Sequence, residues 1–122
     1  MASILIIENN PANMTFAIFL LESAGHTVLS ATDAEAGLAL AREKQPDVIL
    51  MDIQLAGMDG LEATARLKRD AATRAIPVVA VTALAMKGDE ERIRAAGCDG
   101  YIAKPIDYQE FLTTIATQLA RA

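Results

Sequence analysis

Along this chain, short runs of nearly uninterrupted apolar residues alternate with stretches in which apolar positions recur every three or four residues. Residues 3–7, 27–31, 47–51, 78–81 and 101–103 make up the first set. Their length and their isoleucine and valine content predict parallel strands covered on both faces. The stretches between them read as helices with recognisable ends. Asn10-Pro11 is an N-cap with proline at the first helical position, and Phe16, Phe19, Leu20 and Ala24 follow at helical spacing until Gly25. Thr32 with Glu35 reads as a capping box for a helix through Leu38 and Ala41 to Lys44, and Gln45-Pro46 breaks the chain after it.

Residues 54–58 read as a loop, and Asp59 with Glu62 caps a third helix reaching about Arg69, with Leu61, Ala65 and Lys68 on its faces. A polar helix is expected from Met86 to Ala96, closed by Gly97. Asp107 with Glu110 caps the last, whose Phe111, Ile115 and Leu119 form one stripe. Five strands alternating with five helices through short loops predict an α/β fold. It is a flavodoxin-like (βα)5, doubly wound parallel sheet in strand order 2-1-3-4-5, with helices on both faces. Residues 1–122 read as one domain with no effector domain.

Composition narrows the classes of function. The chain has 122 residues and a net charge of −5, without a basic run, which argues against nucleic-acid and acidic-membrane binding. The charge is uneven: residues 1–60 hold eight acids against Arg42 and Lys44, while the remainder holds eight acids and nine bases. No apolar run approaches the ~20 residues of a membrane span, and the start lacks the pattern of a signal peptide. The lone Cys98 rules out an intramolecular disulfide framework and agrees with a reducing, cytoplasmic setting; it reads as a small semi-buried residue.

In such folds the functional site lies at the carboxyl ends of the strands, where the strand order reverses. Those positions hold Glu8-Asn9, Asp52, Thr82 and Lys104. Polar residues commonly follow strands, so one aspartate there means little, but two acids, an amide, a hydroxyl and an ammonium on one sheet edge suit phosphoryl transfer to a carboxylate. Asp52 is the expected nucleophile, forming an acyl phosphate. Mg²⁺, a hard cation, is expected to bridge Asp52, a neighbouring carboxylate and a phosphoryl oxygen. Lys104 and Thr82 are expected to hold further phosphoryl oxygens, and the backbone around Gln54 to offer a carbonyl ligand and an amide donor.

At these residues the chain resembles a two-component response regulator receiver domain over nearly its whole length. The motifs are residues 4–11 (ILIIENNP), 47–52 (DVILMD), 57–60 (GMDG), 77–83 (PVVAVTA) and Lys104-Pro105, and residues 82–92 further resemble the DivK-type single-domain cell-division regulators. The resemblance implies a phosphoacceptor that takes a phosphoryl group on Asp52 from a histidine kinase or histidine phosphotransfer protein with Mg²⁺ bound. Glu8, Asn9, Asp52 and the Gln54 carbonyl would surround the metal. Thr82 and Tyr101 would report phosphorylation to a downstream protein through the fourth helix, fifth strand and fifth helix. It also implies a cis Lys104–Pro105 bond, a monomer or transient homodimer, and no enzymatic turnover beyond slow autodephosphorylation.

One position departs from the pattern. Receivers usually carry two acids after the first strand, and here Asn9 replaces the second. A unit charge pair ~4 Å apart at an effective dielectric near 20 interacts by about 4 kcal/mol, an upper bound on what Asn9 removes. The alternative is therefore a pseudo-receiver, an interaction module that works with little or no phosphorylation. A phosphatase or phosphomutase is disfavoured because Gln54 stands where those enzymes carry a second aspartate. FMN binding fits the fold class, but no phosphate loop rich in Ser, Thr and Gly follows the first strand. Apart from the motif, Tyr101 reads as a packed aromatic, His26 as a surface residue, and Arg66, Lys68, Arg69 and Arg74 as a solvated basic face.

Overall fold

A computed structural model describes residues 2–55, 58–83 and 87–121. The elements run β1 (Ser3–Ile7), α1 (Pro11–Ser23), β2 (Thr27–Ala31), α2 (Ala34–Lys44), β3 (Val48–Asp52), α3 (Gly60–Arg69), β4 (Val78–Thr82), α4 (Lys87–Ala95), β5 (Gly100–Ala103) and α5 (Tyr108–Arg121). All strand pairs are parallel and the sheet order is β2-β1-β3-β4-β5, as expected. The expected start of α4 at Met86 lies outside the described residues, as do Gly57, Leu84 and Ala85.

The uninterrupted apolar strands have a direct cause. Successive side chains of a strand point to opposite faces, and both faces are covered here. Leu5, Ile7, Ile49, Met51, Val78 and Ala80 meet Ala34 and Ala41 of α2, Ala63 and Leu67 of α3 and Ile93 of α4. Ile4, Ile6, Val48, Leu50, Val79 and Val81 meet Ala17, Leu20 and Leu21 of α1 and Phe111 and Ile115 of α5. Gly37 lets α2 lie directly on β1, because a Cβ there would collide with the Ile7 side chain.

Three readings need correction. The N-cap of α2 is Asp33, not Thr32: the Asp33 carboxylate accepts the Ala36 N–H at 2.8 Å, and Thr32 lies exposed outside the helix. A charged oxygen caps more strongly than a hydroxyl and also complements the positive helix end, so the register shifts by one residue. His26 is half-buried, with its Nδ1 enclosed and without a hydrogen-bond partner among the described residues. The His26 backbone N–H bonds to the Leu21 carbonyl at 3.0 Å, which folds this residue back onto the end of α1.

Lys68 is not part of a solvated face. Its ammonium donates to the carbonyls of Arg74 at 3.3 Å and Ile76 at 2.9 Å, and pairs with Asp99 at 3.0 Å. The same Asp99 oxygen accepts the Val78 N–H at 2.9 Å. Lys68 therefore ties α3 to the entrance of β4 and to the turn before β5. Arg66 does face solvent, paired with Glu62 one helical turn away.

Candidate functional site

Parallel register brings the strand ends level. Ile7 lies opposite Met51, Asp52 opposite Val81 and Thr82 opposite Ala103, so Glu8 and Lys104, each one residue past its strand, flank Asp52 and Thr82. Backbone bonds extend this order: the Lys104 N–H reaches the Thr82 carbonyl at 2.8 Å and the Ile53 N–H the Val81 carbonyl at 3.3 Å. The Lys104–Pro105 peptide bond is cis.

Three charged side chains converge there. Asp52 is 3% exposed and Glu8 5%, and the Lys104 ammonium lies 3.4 Å from the Asp52 carboxylate and 3.3 Å from that of Glu8. Each acid also accepts a backbone donor, Asp52 from the Gln54 N–H at 3.0 Å and Glu8 from the Asn10 N–H at 3.2 Å. Two buried carboxylates sharing one ammonium leave the cluster short of positive charge. Burial, reinforced by a hydrogen bond with Asp52, raises the Glu8 carboxyl above its ordinary value, against the Asn10 bond and Lys104, which lower it.

The other expected residues lie at or just past strand ends, except Tyr101, which is inside β5. Thr82 is fully buried at the end of β4. Asn9 is exposed beside Glu8, and Gln54 is exposed past Asp52. Tyr101 is half-buried in β5 and its hydroxyl donates to a Glu90 carboxylate oxygen at 3.5 Å. Cys98 is buried, with its thiol 3.7 Å from the Thr64 hydroxyl, and is no part of the site.

Gly60, part of the 57–60 motif, has a task that the motif does not reveal. Gly60 opens α3, its N–H bonds to the Ile53 carbonyl at 2.9 Å, and a Cβ there would collide with the Asp52 carbonyl oxygen and Ile53 Cα. It lets α3 press against the backbone that presents Asp52. The only sequence signal was a glycine directly after an N-cap, which is not specific.

The donors suit a hard divalent cation held loosely. Among the described residues no group of three or more His, Cys, Asp or Glu side chains could hold a metal ion. Mg²⁺ does not need one, since it takes one or two carboxylates and keeps several waters. Glu8 and Asp52 are two carboxylates that could hold it, and both already lie beside the Lys104 ammonium.

Comparison with known proteins agrees with this geometry. Residues 4–116 match the response regulator receiver domain family. The chain is 50% identical over 120 residues to the polar-differentiation response regulator DivK of Brucella anthropi and of Brucella ovis, covering 98% of each chain. Among solved structures it resembles the receiver domain of sensor histidine kinase PA1611 from Pseudomonas aeruginosa, described with a magnesium ion in its active-site cleft. That match has a TM-score of 0.91 and 33% identity, and covers 98% of both chains. A CheY-like receiver domain protein from Methanospirillum hungatei matches with a TM-score of 0.90 and 27% identity, covering 99% of this chain and 95% of its own.

Proposed function

Because the chain belongs to the response regulator receiver domain family, we propose that it is the phosphoacceptor of a two-component phosphorelay, with Asp52 taking the phosphoryl group of a histidine kinase or histidine phosphotransfer protein. The observation that carries this reading is the buried Asp52 carboxylate at a strand end, 3.4 Å from the Lys104 ammonium. An Asp52 oxygen attacks phosphorus, the N–P bond of the donor's phosphohistidine breaks, and its electron pair returns to the imidazole. Charge accumulates on the phosphoryl oxygens as this happens, and the site holds a cation and donors for it.

Lys104 shifts from the carboxylate pair to a phosphoryl oxygen, and the Thr82 hydroxyl donates to another. The Gln54 N–H keeps the Asp52 carboxylate oriented. Glu8 and Asp52, with the neutral oxygens of Asn9 and Gln54, would hold Mg²⁺, which neutralises phosphoryl charge when bound. Water can hydrolyse the acyl phosphate slowly, and no other turnover is assigned. Thr82 and Tyr101 pass the change to a protein partner at α4, β5 and α5.

The donor meets an apolar face. Phe16 and Phe19 on α1 and Tyr108 on α5 are exposed large hydrophobic side chains, on helices that both begin at the strand ends. Among the described residues no helix is long and apolar enough to cross a membrane. We place the exchange in the cytoplasm, where Cys98 stays reduced.

Asn9 favours a second reading, a pseudo-receiver whose partner surface works without phosphorylation. One experiment separates them: acetyl phosphate and Mg²⁺ are added to the native protein, Asp52→Ala and Asn9→Asp, and intact mass is recorded. The phosphoacceptor reading expects one added phosphoryl group on the native protein and none on Asp52→Ala. Asn9→Asp is expected to tighten Mg²⁺ binding by about five- to twentyfold, a fraction of the ~4 kcal/mol Coulomb ceiling. A native protein that gains no mass from acetyl phosphate or any kinase, together with an Asp52→Ala variant that still binds the partner, establishes the pseudo-receiver instead.

A further inference from the structure

We propose that Glu90 is a positioning residue: it latches α4 to β5 through Tyr101, and so sets how readily α4 moves when the strand-end site changes. The need for such a latch follows from how little else among the described residues holds α4. The helix has nine residues, and Ile93 alone among its described side chains is buried. Gly88, in its first turn, is exposed with open space around it and weakens the helix. An element with few buried contacts belongs to the low-stability end of a fold. One additional attachment therefore has a large share in fixing it.

Glu90 supplies that attachment. One of its carboxylate oxygens accepts the Tyr101 hydroxyl at 3.5 Å, and the other accepts Arg94 at 3.4 Å from both Nε and a terminal guanidinium nitrogen. Arg94 lies one turn along α4 and holds the carboxylate in place from its own helix. Tyr101 packs its ring against the core shared by α2, α3 and α4. It stands opposite Ala80 in β4, two residues before Thr82, and three residues before Lys104. The latch thus joins a weakly anchored helix to the strand that leads to Lys104. In the described conformer the bond is made while Lys104 pairs directly with Asp52. Breaking it frees Tyr101 and α4 together.

The functional consequence rests on the phosphoacceptor reading, whereas the latch itself does not, and two measurements keep them apart. The first uses the full chain without any phosphoryl analogue. Amide exchange across α4 is compared for the native protein, Glu90→Ala, Glu90→Gln, Tyr101→Phe and the Glu90→Ala/Tyr101→Phe double variant. Glu90→Ala is expected to speed α4 exchange about three- to tenfold, the size of one ordinary hydrogen bond, with Tyr101→Phe similar and the double variant no faster than either. Glu90→Gln, whose amide oxygen still accepts the tyrosine hydroxyl, is expected to stay within about twofold of native.

The second measurement is the affinity for beryllofluoride with Mg²⁺. Glu90→Ala is expected to bind about three- to tenfold more tightly, and the gain is expected to vanish in the Tyr101→Phe background. Unchanged α4 exchange in Glu90→Ala overturns the latch, as do additive effects of the two substitutions. A protein that binds beryllofluoride equally with and without Glu90 overturns its coupling to the site. If the native protein takes up no beryllofluoride, the phosphoacceptor reading fails, and the exchange comparison alone decides whether Glu90 latches α4.

Discussion

Lys104 shows how the surroundings of one side chain set the electrostatics of a cluster. Its side chain is 18% exposed and its ammonium bridges two carboxylates that are more deeply buried, so among the described residues the acids share this one positive partner. Burial first, and then the neighbouring Asp52, raise the Glu8 carboxyl above its ordinary value, while Lys104 works against both. Cys98 shows the same effect of burial. Burial raises its thiol above an ordinary value of 9.0, with Asp99 adding to this and Thr64 and Lys68 opposing it. The unfolded chain ionises this thiol first, so above that value it binds fewer protons than the folded chain. Stability therefore falls as pH rises from about 9.0 through the higher folded value, and is fully present below. Urea unfolding at pH 8 and pH 10 is expected to show this decline for the native protein, and a smaller one for Cys98→Ala. Iodoacetamide at pH 8 is expected to label native Cys98 at least about tenfold more slowly than a free thiol.

At the scale of elements, the caps and breaks of the chain were legible to within a residue or two. Asn10, Asp59 and Asp107 cap α1, α3 and α5 as expected, each accepting a backbone N–H three residues on, at 3.0, 2.8 and 3.0 Å. The exception is α2, where Thr32 and Asp33 are adjacent and both suit the position. Asp33→Ala is expected to cost about 1 kcal/mol and Thr32→Ala less than about 0.5 kcal/mol, read from chemical denaturation midpoints. The role of Lys68 is not legible in the sequence, because helical periodicity says which face a lysine occupies but not what lies opposite. Its partners are the Arg74 and Ile76 carbonyls and Asp99, and the last stands 31 positions away. Gly60 was undervalued for the same reason, since its neighbours Asp52 and Ile53 are set by where α3 lands on the sheet.

For the molecule as a whole, the two sides of the sheet differ in what they show to solvent. Among the described residues the exposed large hydrophobic side chains, Phe16, Phe19 and Tyr108, all lie on α1 and α5, on one side of the sheet. Phe19→Ser is expected to leave stability within about 0.5 kcal/mol, because the residue is already 66% exposed. It is expected to slow phosphoryl uptake from a histidine phosphotransfer protein while leaving uptake from acetyl phosphate unchanged, measured as mass gain against time. The amino-acid sequence by itself determined the alternation of strands and helices, their parallel order, the burial of both sheet faces and the strand-end positions that carry chemistry. These follow from local periodicity and turn chemistry, which are written in neighbouring residues. Only the tertiary structure decided that Lys104 reaches Asp52, 52 positions away, that Asp33 caps α2, that Gly60 must lack a Cβ, and that Tyr101 meets Glu90. Contacts of a few ångströms between distant residues depend on strand register and helix placement, and no local pattern encodes those distances.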